Sequence, residues 1–570
     1  MAFLTVMLLT ACDSTRPQDA APASAADLVL MGGNVVTVDA DFPRAQAIAV
    51  QGSTILAVGS DRDLQGLIGA NTQVIQLKGR TVIPGLIEGH GHYLGLGRAQ
   101  QILDLNQAEK FTDIVNQVGV AVDAAQPDEW VFGRGWHQDK WTLGDETLVD
   151  GVPVNQTLNN VSADNPVLLG HASGHAAYVN DAALAAAGIT AQTPDPPGGT
   201  IVRDKLGRAT GLLRETAQRL VQDAVAQYQL SLGEDELRRQ IDEQVYLAGK
   251  VALAHGVTSF HDAGVDFATI DYFRQLEAEE RLPIRLYAMV RGESNAEMGA
   301  KLADYFMPLE GNDFLTVRSI KRQIDGALGA HGAWLLKPYA DLSGDYGLVL
   351  EPVEDIEETS RLAIEHGYQV NTHAIGTRAN REVLDLYQRQ WEAAGLDGRD
   401  LRWRIEHAQH IHPDDIPRFG QMGVIAAIQG VHCTSDGPWI PRRLGLARTE
   451  QTSYRWRDLI DSGARINNGT DAPVEAINPF VSLQASVDRV MADGQAFFPA
   501  QAMTREEALH SYTLGNAYSA FEDMHKGSIT PGKLADLVVV DRDLMTVPAN
   551  QIGGTQVEMT LVGGQIRYQR

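Results

Sequence analysis

The chain has 570 residues, 44% of them hydrophobic and 21% charged, an ordinary globular composition with ample length for a large core. Acidic residues outnumber basic ones, 73 to 47, and the formal net charge of -26 argues against a nucleic-acid partner, because phosphate contact needs a basic face.

The N-terminus reads MAFLTVMLLTACDSTRPQDAAPASAAD. Residues 2–11 are apolar but too short to span a bilayer, which takes about 20 residues, and they read as the core of a signal peptide. "LTAC", ending at Cys12, resembles a bacterial lipoprotein box, in which that cysteine is lipidated and becomes the new N-terminus. Residues 1–27 are therefore expected to be a leader and a flexible tether. The implied location is the bacterial cell envelope, lipid-anchored through Cys12, or soluble in the periplasm after plain cleavage. The other cysteine is Cys433, so a lipidated Cys12 leaves no intramolecular disulfide.

From residue 28 the pattern becomes that of short strands and hairpins. "LVLMGGNVVTVD" and "AIAVQGSTILAVGS" alternate apolar with small or polar residues and carry Gly at the turns. "ADLVVVDRD" and "VEMTLVGGQIRYQR" near the C-terminus are written in the same style. Together they predict a small β-sandwich built from both ends, residues 28–80 and 526–570. Between them lie eight short apolar or β-branched runs: 81–88, 257–262, 284–290, 317–325, 368–373, 402–407, 424–429 and 464–471. Amphipathic helical stretches such as "NREVLDLYQRQWEAAG" separate several of them. This alternation predicts an α/β fold, a (β/α)8 TIM barrel over 81–525, with a doubly wound sheet as the alternative. Residues 95–250 exceed what a barrel connection needs, and an insertion on the C-terminal rim would shape a pocket.

Ionisable residues gather at the C-terminal ends of these runs. His90 and His92 follow the first, Lys321 lies in the fourth, His373 ends the fifth, His407 the sixth and Asp471 the eighth. In a barrel those ends converge on one mouth. Residues i and i+2 of a strand share a face, so His90 and His92 can serve one ion, and imidazole suits Zn and similar metals. Singly, each of these residues fits a structural role. Buried ionisable groups at five strand ends are costly unless paired or metal-bound.

With "VIPGLIEGHGH", "GVTSFHDAG", "KRQIDGALGAHGAWL", "NTHAIGTRAN", "RIEHAQH" and "NGTDAPVEAINP" in this order, the chain resembles the amidohydrolase superfamily, in particular its YtcJ-like branch, amidohydrolase family 3, which includes N-substituted formamide deformylases. The resemblance implies a divalent metal, one or two ions and most simply Zn. His90 and His92 would hold the more buried ion, and His373 and His407 the second. Lys321 would bridge them as a carbamate, and Asp471 would touch the first ion and shuttle a proton as the catalytic residue. It implies attack of a metal-activated hydroxide on a non-peptide C–N bond of an N-formyl or N-acyl amine. An esterase, lactonase or deaminase on the same site is the alternative, and a non-catalytic binding lipoprotein a more distant one. Thr377 stands where the family commonly has Asp, Thr470 where Ser is usual, Gly430 where Pro follows Gln, and Arg322 and Gln323 are more polar than usual. His175, Trp136 and His432 are candidate contacts to a small-molecule substrate, each with a structural role as the bland alternative. A homodimer is compatible with the sequence.

Overall fold

A computed structural model describes residues 25–105, 108–138, 141–142, 144, 146–171, 176–197, 199–329 and 331–570. Its largest sheet has eight strands in chain order: β1 (Leu86–Gly91), β2 (Val257–Val265), β3 (Arg285–Val290), β4 (Leu315–Gln323), β5 (Gln369–Ala374), β6 (Arg404–His407), β7 (Ile425–Gln429) and β8 (Ile466–Gly469). All neighbours pair in parallel. Helices such as Phe267–Ala278, Asn295–Tyr305, Val353–His366 and Thr377–Ala394 return the chain between strands, giving the expected barrel.

The strands are buried on both faces, as parallel sheets are. In β3, Leu286, Ala288 and Val290 pack against the helical layer. Tyr287 and Met289 turn into the barrel, where the Tyr287 hydroxyl donates to Gln369 Oε1 at 2.9 Å and Asn371 Nδ2 donates to Met289 Sδ at 3.3 Å. Inward side chains therefore stack in layers that become polar toward the mouth.

No strand ladder joins β8 to β1, which form the two ends of the sheet. The seam is sewn by other groups. Glu88 Oε1 accepts from the Thr470 amide at 2.6 Å and Oε2 from the Thr470 hydroxyl at 2.9 Å. The Asp471 amide donates to His90 O at 2.8 Å, and the His92 amide to Ala472 O at 2.7 Å. Burial pushes the Glu88 carboxyl up to about 8, against these donors.

Two further sheets make the small domain. One contains Leu28–Met31, Ala47–Gln51, Thr54–Gly59 and Gln73–Gln76; the other joins Asn34–Val36, Arg44–Ala45 and Thr81–Pro84 to Leu537–Val540, Val557–Val562 and Gln565–Gln569. Their facing residues, Leu28, Leu30, Ile48, Val82, Leu537 and Leu561 among them, form one apolar core. The run 81–88 is thus two strands rather than one. Thr81–Pro84 pairs with Leu537–Val540 in the small domain, and β1 begins at Leu86. Gly85 marks the passage, since a Cβ there would lie 2.7 Å from Thr258 Cγ2.

The insertion carries a six-stranded sheet, in the order Gly199–Arg203, Ala209–Glu215, Ala176–Val179, Val167–His171, Val131–Trp136, Leu103–Asp104, with apolar clusters of its own. Helix Glu234–Ala254 then leads back to β2 and lies across Tyr93–Ala99, where Gly97 meets the Gln244 backbone too closely for any side chain. Among the described residues no helix is long and apolar enough to cross a membrane.

Candidate metal centre

Six of the residues singled out by sequence meet at the barrel mouth. His90 is the inward residue two beyond Glu88 on β1, and its ring is buried. Its Nδ1 is hydrogen-bonded to the Glu406 carboxylate, leaving Nε2 3.5 Å from Lys321 Nζ and 3.7 Å from Asp471 Oδ1. His407 is held likewise: its Nδ1 bonds to Gln429 Oε1 at 2.7 Å, which frees Nε2. The His407 ring centroid lies 4.8 Å from that of His90 and 4.4 Å from that of His373. One ligand atom each from His90, His407 and Asp471 falls within 4.8 Å of the others. His92 stands at the edge, with its side chain 34% exposed and Nε2 3.4 Å from Asp471 Oδ1.

Backbone geometry aims these groups. Arg404 and Glu406 take the inward positions of β6, so alternation alone would turn His407 away from the interior. His407 instead adopts φ +72° and swings the imidazole toward the centre; Asp471 has φ +59° just past β8. Non-glycine residues in this region are strained and persist where the surroundings over-determine them.

The donor set fits a divalent cation. Burial holds His90 and His373 well below the usual imidazole range, with Lys321 and His407 adding as nearby positive charges, and lowers His407 to about 4. All three are neutral near pH 7, as metal ligation requires. Burial raises Asp471, but the His92 imidazole, 3.4 Å from its Oδ1, and the other surrounding imidazoles outweigh this and hold it well below the usual carboxylate range. Among the described residues, Asp471 Oδ1 and His373 Nε2 are buried without a hydrogen-bond partner. Such orphaned acceptors are costly unless something pairs with them, and a cation does. Burial also pushes the Lys321 ammonium down to about 8, against Glu406.

A second layer that sequence reading left unassigned holds the first. Arg404, fully buried, donates through Nε to Glu406 Oε1 at 2.7 Å and through Nη2 to Glu406 Oε2 at 2.8 Å and Gly89 O at 2.8 Å. Glu406 in turn fixes the His90 ring, the carboxylate–histidine arrangement that orients metal ligands. The signal was present in "RIEH": two opposite charges at i and i+2 directly before a candidate ligand. Asp325, just past β4, is fully buried and accepts from the amides of Ile375 (2.9 Å), Gly376 (2.8 Å) and Trp334 (2.8 Å), 3.5 Å from His373. It pins the loop after β5. Thr470 makes the seam bond to Glu88 that a serine hydroxyl would also make.

The remaining candidates divide. His432 opens the helix after β7; its ring stacks parallel to His407 at 6.5 Å, and its Nε2 is buried without a hydrogen-bond partner among the described residues. Trp136, by contrast, is 1% exposed in the insertion core, stacked on Trp141 and donating to Leu169 O at 2.8 Å; packing accounts for it. Cys433 is buried, and burial pushes its thiol up to about 11, which excludes a reactive thiolate. His175 and Cys12 lie outside the described residues.

Known proteins carry the same organisation. The chain matches the amidohydrolase family over residues 73–568. It is 34% identical to the protein LONG AFTER FAR-RED 3 of Arabidopsis thaliana, over 95% of this chain and 92% of the relative. It is 28% identical to the N-substituted formamide deformylase of Arthrobacter pascens, over 95% and 98%. A crystal structure of an uncharacterized metal-dependent hydrolase from Pyrococcus horikoshii OT3 superposes with a TM-score of 0.74 at 25% identity, covering 92% of this chain and 99% of that one. A metal-ready mouth on a (β/α)8 barrel and a match of this extent lead to one assignment: the chain belongs to the amidohydrolase family.

Proposed function

We propose that this protein hydrolyses the C–N bond of an N-formyl or N-acyl amine, using one or two Zn ions. The observation that carries the reading is Asp471 Oδ1, a buried carboxylate oxygen without a hydrogen-bond partner among the described residues, beside imidazoles kept neutral by burial. Its direction toward formamides and related amides rests on the formamide deformylase relative. His90 and His92 with Asp471 would hold one ion, His373 and His407 a second, and Lys321 as a carbamate would bridge them. The lowered Lys321 makes free amine available near neutral pH; its nitrogen adds to CO2 and releases a proton. The metal, when bound, supplies Lewis acidity that polarises the carbonyl and lowers the pKa of water.

The chain's own groups supply the rest. Asp471 takes a proton from the water as its oxygen bonds to the carbonyl carbon, and delivers it to the departing amine nitrogen as the C–N bond breaks. His432 Nε2, in its N–H form, donates to the oxygen on which negative charge develops. The test is amine release from a panel of N-formyl and N-acyl amines by Zn-loaded wild type and Asp471→Asn, with metal content measured on both. Release by wild type alone, at comparable metal content, is expected. Normal turnover by Asp471→Asn would remove the proton role, and no release from any member would remove the amide reading.

A further inference from the structure

The mouth holds a cation that neither metal ligation nor proton transfer uses. Arg291 directly follows β3, and with Tyr287 and Met289 it continues the inward-facing set of that strand. On β4, Gln323 stands two residues beyond Lys321 on the same inward face, in register with His373 on β5. Arg291 Nη2 donates to Gln323 Oε1 at 2.7 Å, and Gln323 Nε2 donates to Asp325 O at 3.2 Å. The guanidinium is therefore tied down one layer above Lys321, beside His373, and its positive charge lowers both groups' affinity for protons.

The neighbouring strand makes room for this side chain. Gly264, near the end of β2, has φ +128°, and a Cβ there would fall 2.6 Å from Arg291 Cβ and closer still to Cδ. The glycine that closes "HDAG" thus clears the path by which Arg291 crosses from the end of β2 to that of β4. Arg291 is part-buried, and among the described residues no carboxylate lies within ion-pair distance of it. Arg322 on β4, by contrast, pairs with Glu351 at 2.7 Å. A guanidinium has five N–H donors in a planar fork that matches a carboxylate, and among the described residues a single side-chain acceptor engages it here.

We propose that Arg291 binds a carboxylate of the substrate, so that the amide cleaved at this mouth carries an anionic group close to the scissile bond. This rests on the amide-hydrolysis reading and narrows it from amides in general to carboxylate-bearing ones. Gln323 is the positioning residue that presents the guanidinium.

Two matched pairs of probes test it. N-formylphenylalanine against N-formylphenethylamine places the carboxylate on the amine half. N-benzylsuccinamate against N-benzylbutanamide places it on the acyl half. Binding by calorimetry and amine release are both read for Zn-loaded wild type, Arg291→Gln and Arg291→Lys. Wild type should favour the anionic member of at least one pair by about ten- to hundredfold, the range of a charge-assisted contact. Arg291→Gln should collapse that ratio toward one, and Arg291→Lys should keep part of it. Equal binding of both members in both pairs, or a preference that survives in Arg291→Gln, overturns the proposal. A binding preference that Arg291→Gln abolishes, without amine release from either member, upholds the anion site and sinks amide hydrolysis. Release without preference does the reverse.

Discussion

Replacing Glu406 by glutamine changes one atom's chemistry in a fully buried place. The carboxylate serves three donors: Arg404 Nε, Arg404 Nη2 and His90 Nδ1. Glutamine keeps one oxygen and presents an NH2 group where the second oxygen was. Whichever way the amide turns, an N–H faces an N–H, of Arg404 or of His90. Arg404 retains Gly89 O at 2.8 Å and His261 Nδ1 at 3.2 Å, but no charge of opposite sign. Breaking a buried pair in this way costs about 3–5 kcal/mol, and the surviving amide oxygen places Glu406→Gln near the lower end, about 3 kcal/mol. Loss of the acceptor that fixes the His90 ring should weaken metal binding by about ten- to a hundredfold. The assay is competition for Zn against a chelator of known affinity, with urea unfolding of the same samples. Unchanged metal affinity would refute the role assigned to Glu406, whatever the stability showed.

Further outcomes follow from other parts of the molecule. His410 is fully buried with Nδ1 2.9 Å from Ser453 Oγ, and burial lowers it from 6.5 to about 3. Its folded pKa lies below the unfolded one, so its contribution to stability is intact above about pH 6.5 and lost as pH falls toward 3. Between pH 7 and pH 4.5 wild type should lose about 2–3 kcal/mol more unfolding free energy than His410→Gln; parallel curves would contradict the assignment. Lys321→Gln should bind less metal per chain, and wild type equilibrated with 13C-labelled bicarbonate should show a carbamate resonance that the variant lacks; a resonance present in both would place the label elsewhere. Expressed with its leader in a bacterium, the wild type should partition into the detergent phase on cloud-point extraction and Cys12→Ser should not; equal partitioning would leave the lipoprotein box without a role.

The barrel was legible because eight apolar runs alternate with amphipathic helical stretches, and its mouth because five of those runs carry or end in ionisable residues such as Lys321, His373 and Asp471. The first strand was misjudged because "TVIPGLIE" is apolar throughout, and its break at Pro84–Gly85 is set by close packing on Thr258, a tertiary fact. The insertion's sheet was missed for the same kind of reason: Leu103–Asp104 and Val131–Trp136 pair in parallel with partners far along the chain, which local alternation does not announce. Within the site, the ligand-type residues stood out by chemistry and the residues that hold them did not. Glu406 looks like any acid before a histidine until the strand is known to point it inward. Trp136 looked like a pocket wall because aromatic size fits a pocket and a core equally well. Arg291 gave no sequence signal, since an arginine after a strand is ordinary until its carboxylate fails to appear.

The seam between β8 and β1 also fixes the order of events during synthesis. His90 emerges early, whereas Thr470 and Asp471, which close the cylinder against Glu88 and His90, emerge some 380 residues later: the Thr470–Glu88 bond spans 382 positions. The small domain waits longer still, because Thr81–Pro84 finds its partner only in Leu537–Val540. A chain stopped before β8 therefore exposes the β1 edge with an incomplete ligand set and an unmatched buried acid. Contacts of this separation are slow to form, and their absence leaves strand edges open to other chains. The centre thus comes into being as one of the last acts of folding, and a ribosome that stops short of the final strands leaves an aggregation hazard rather than a weaker enzyme.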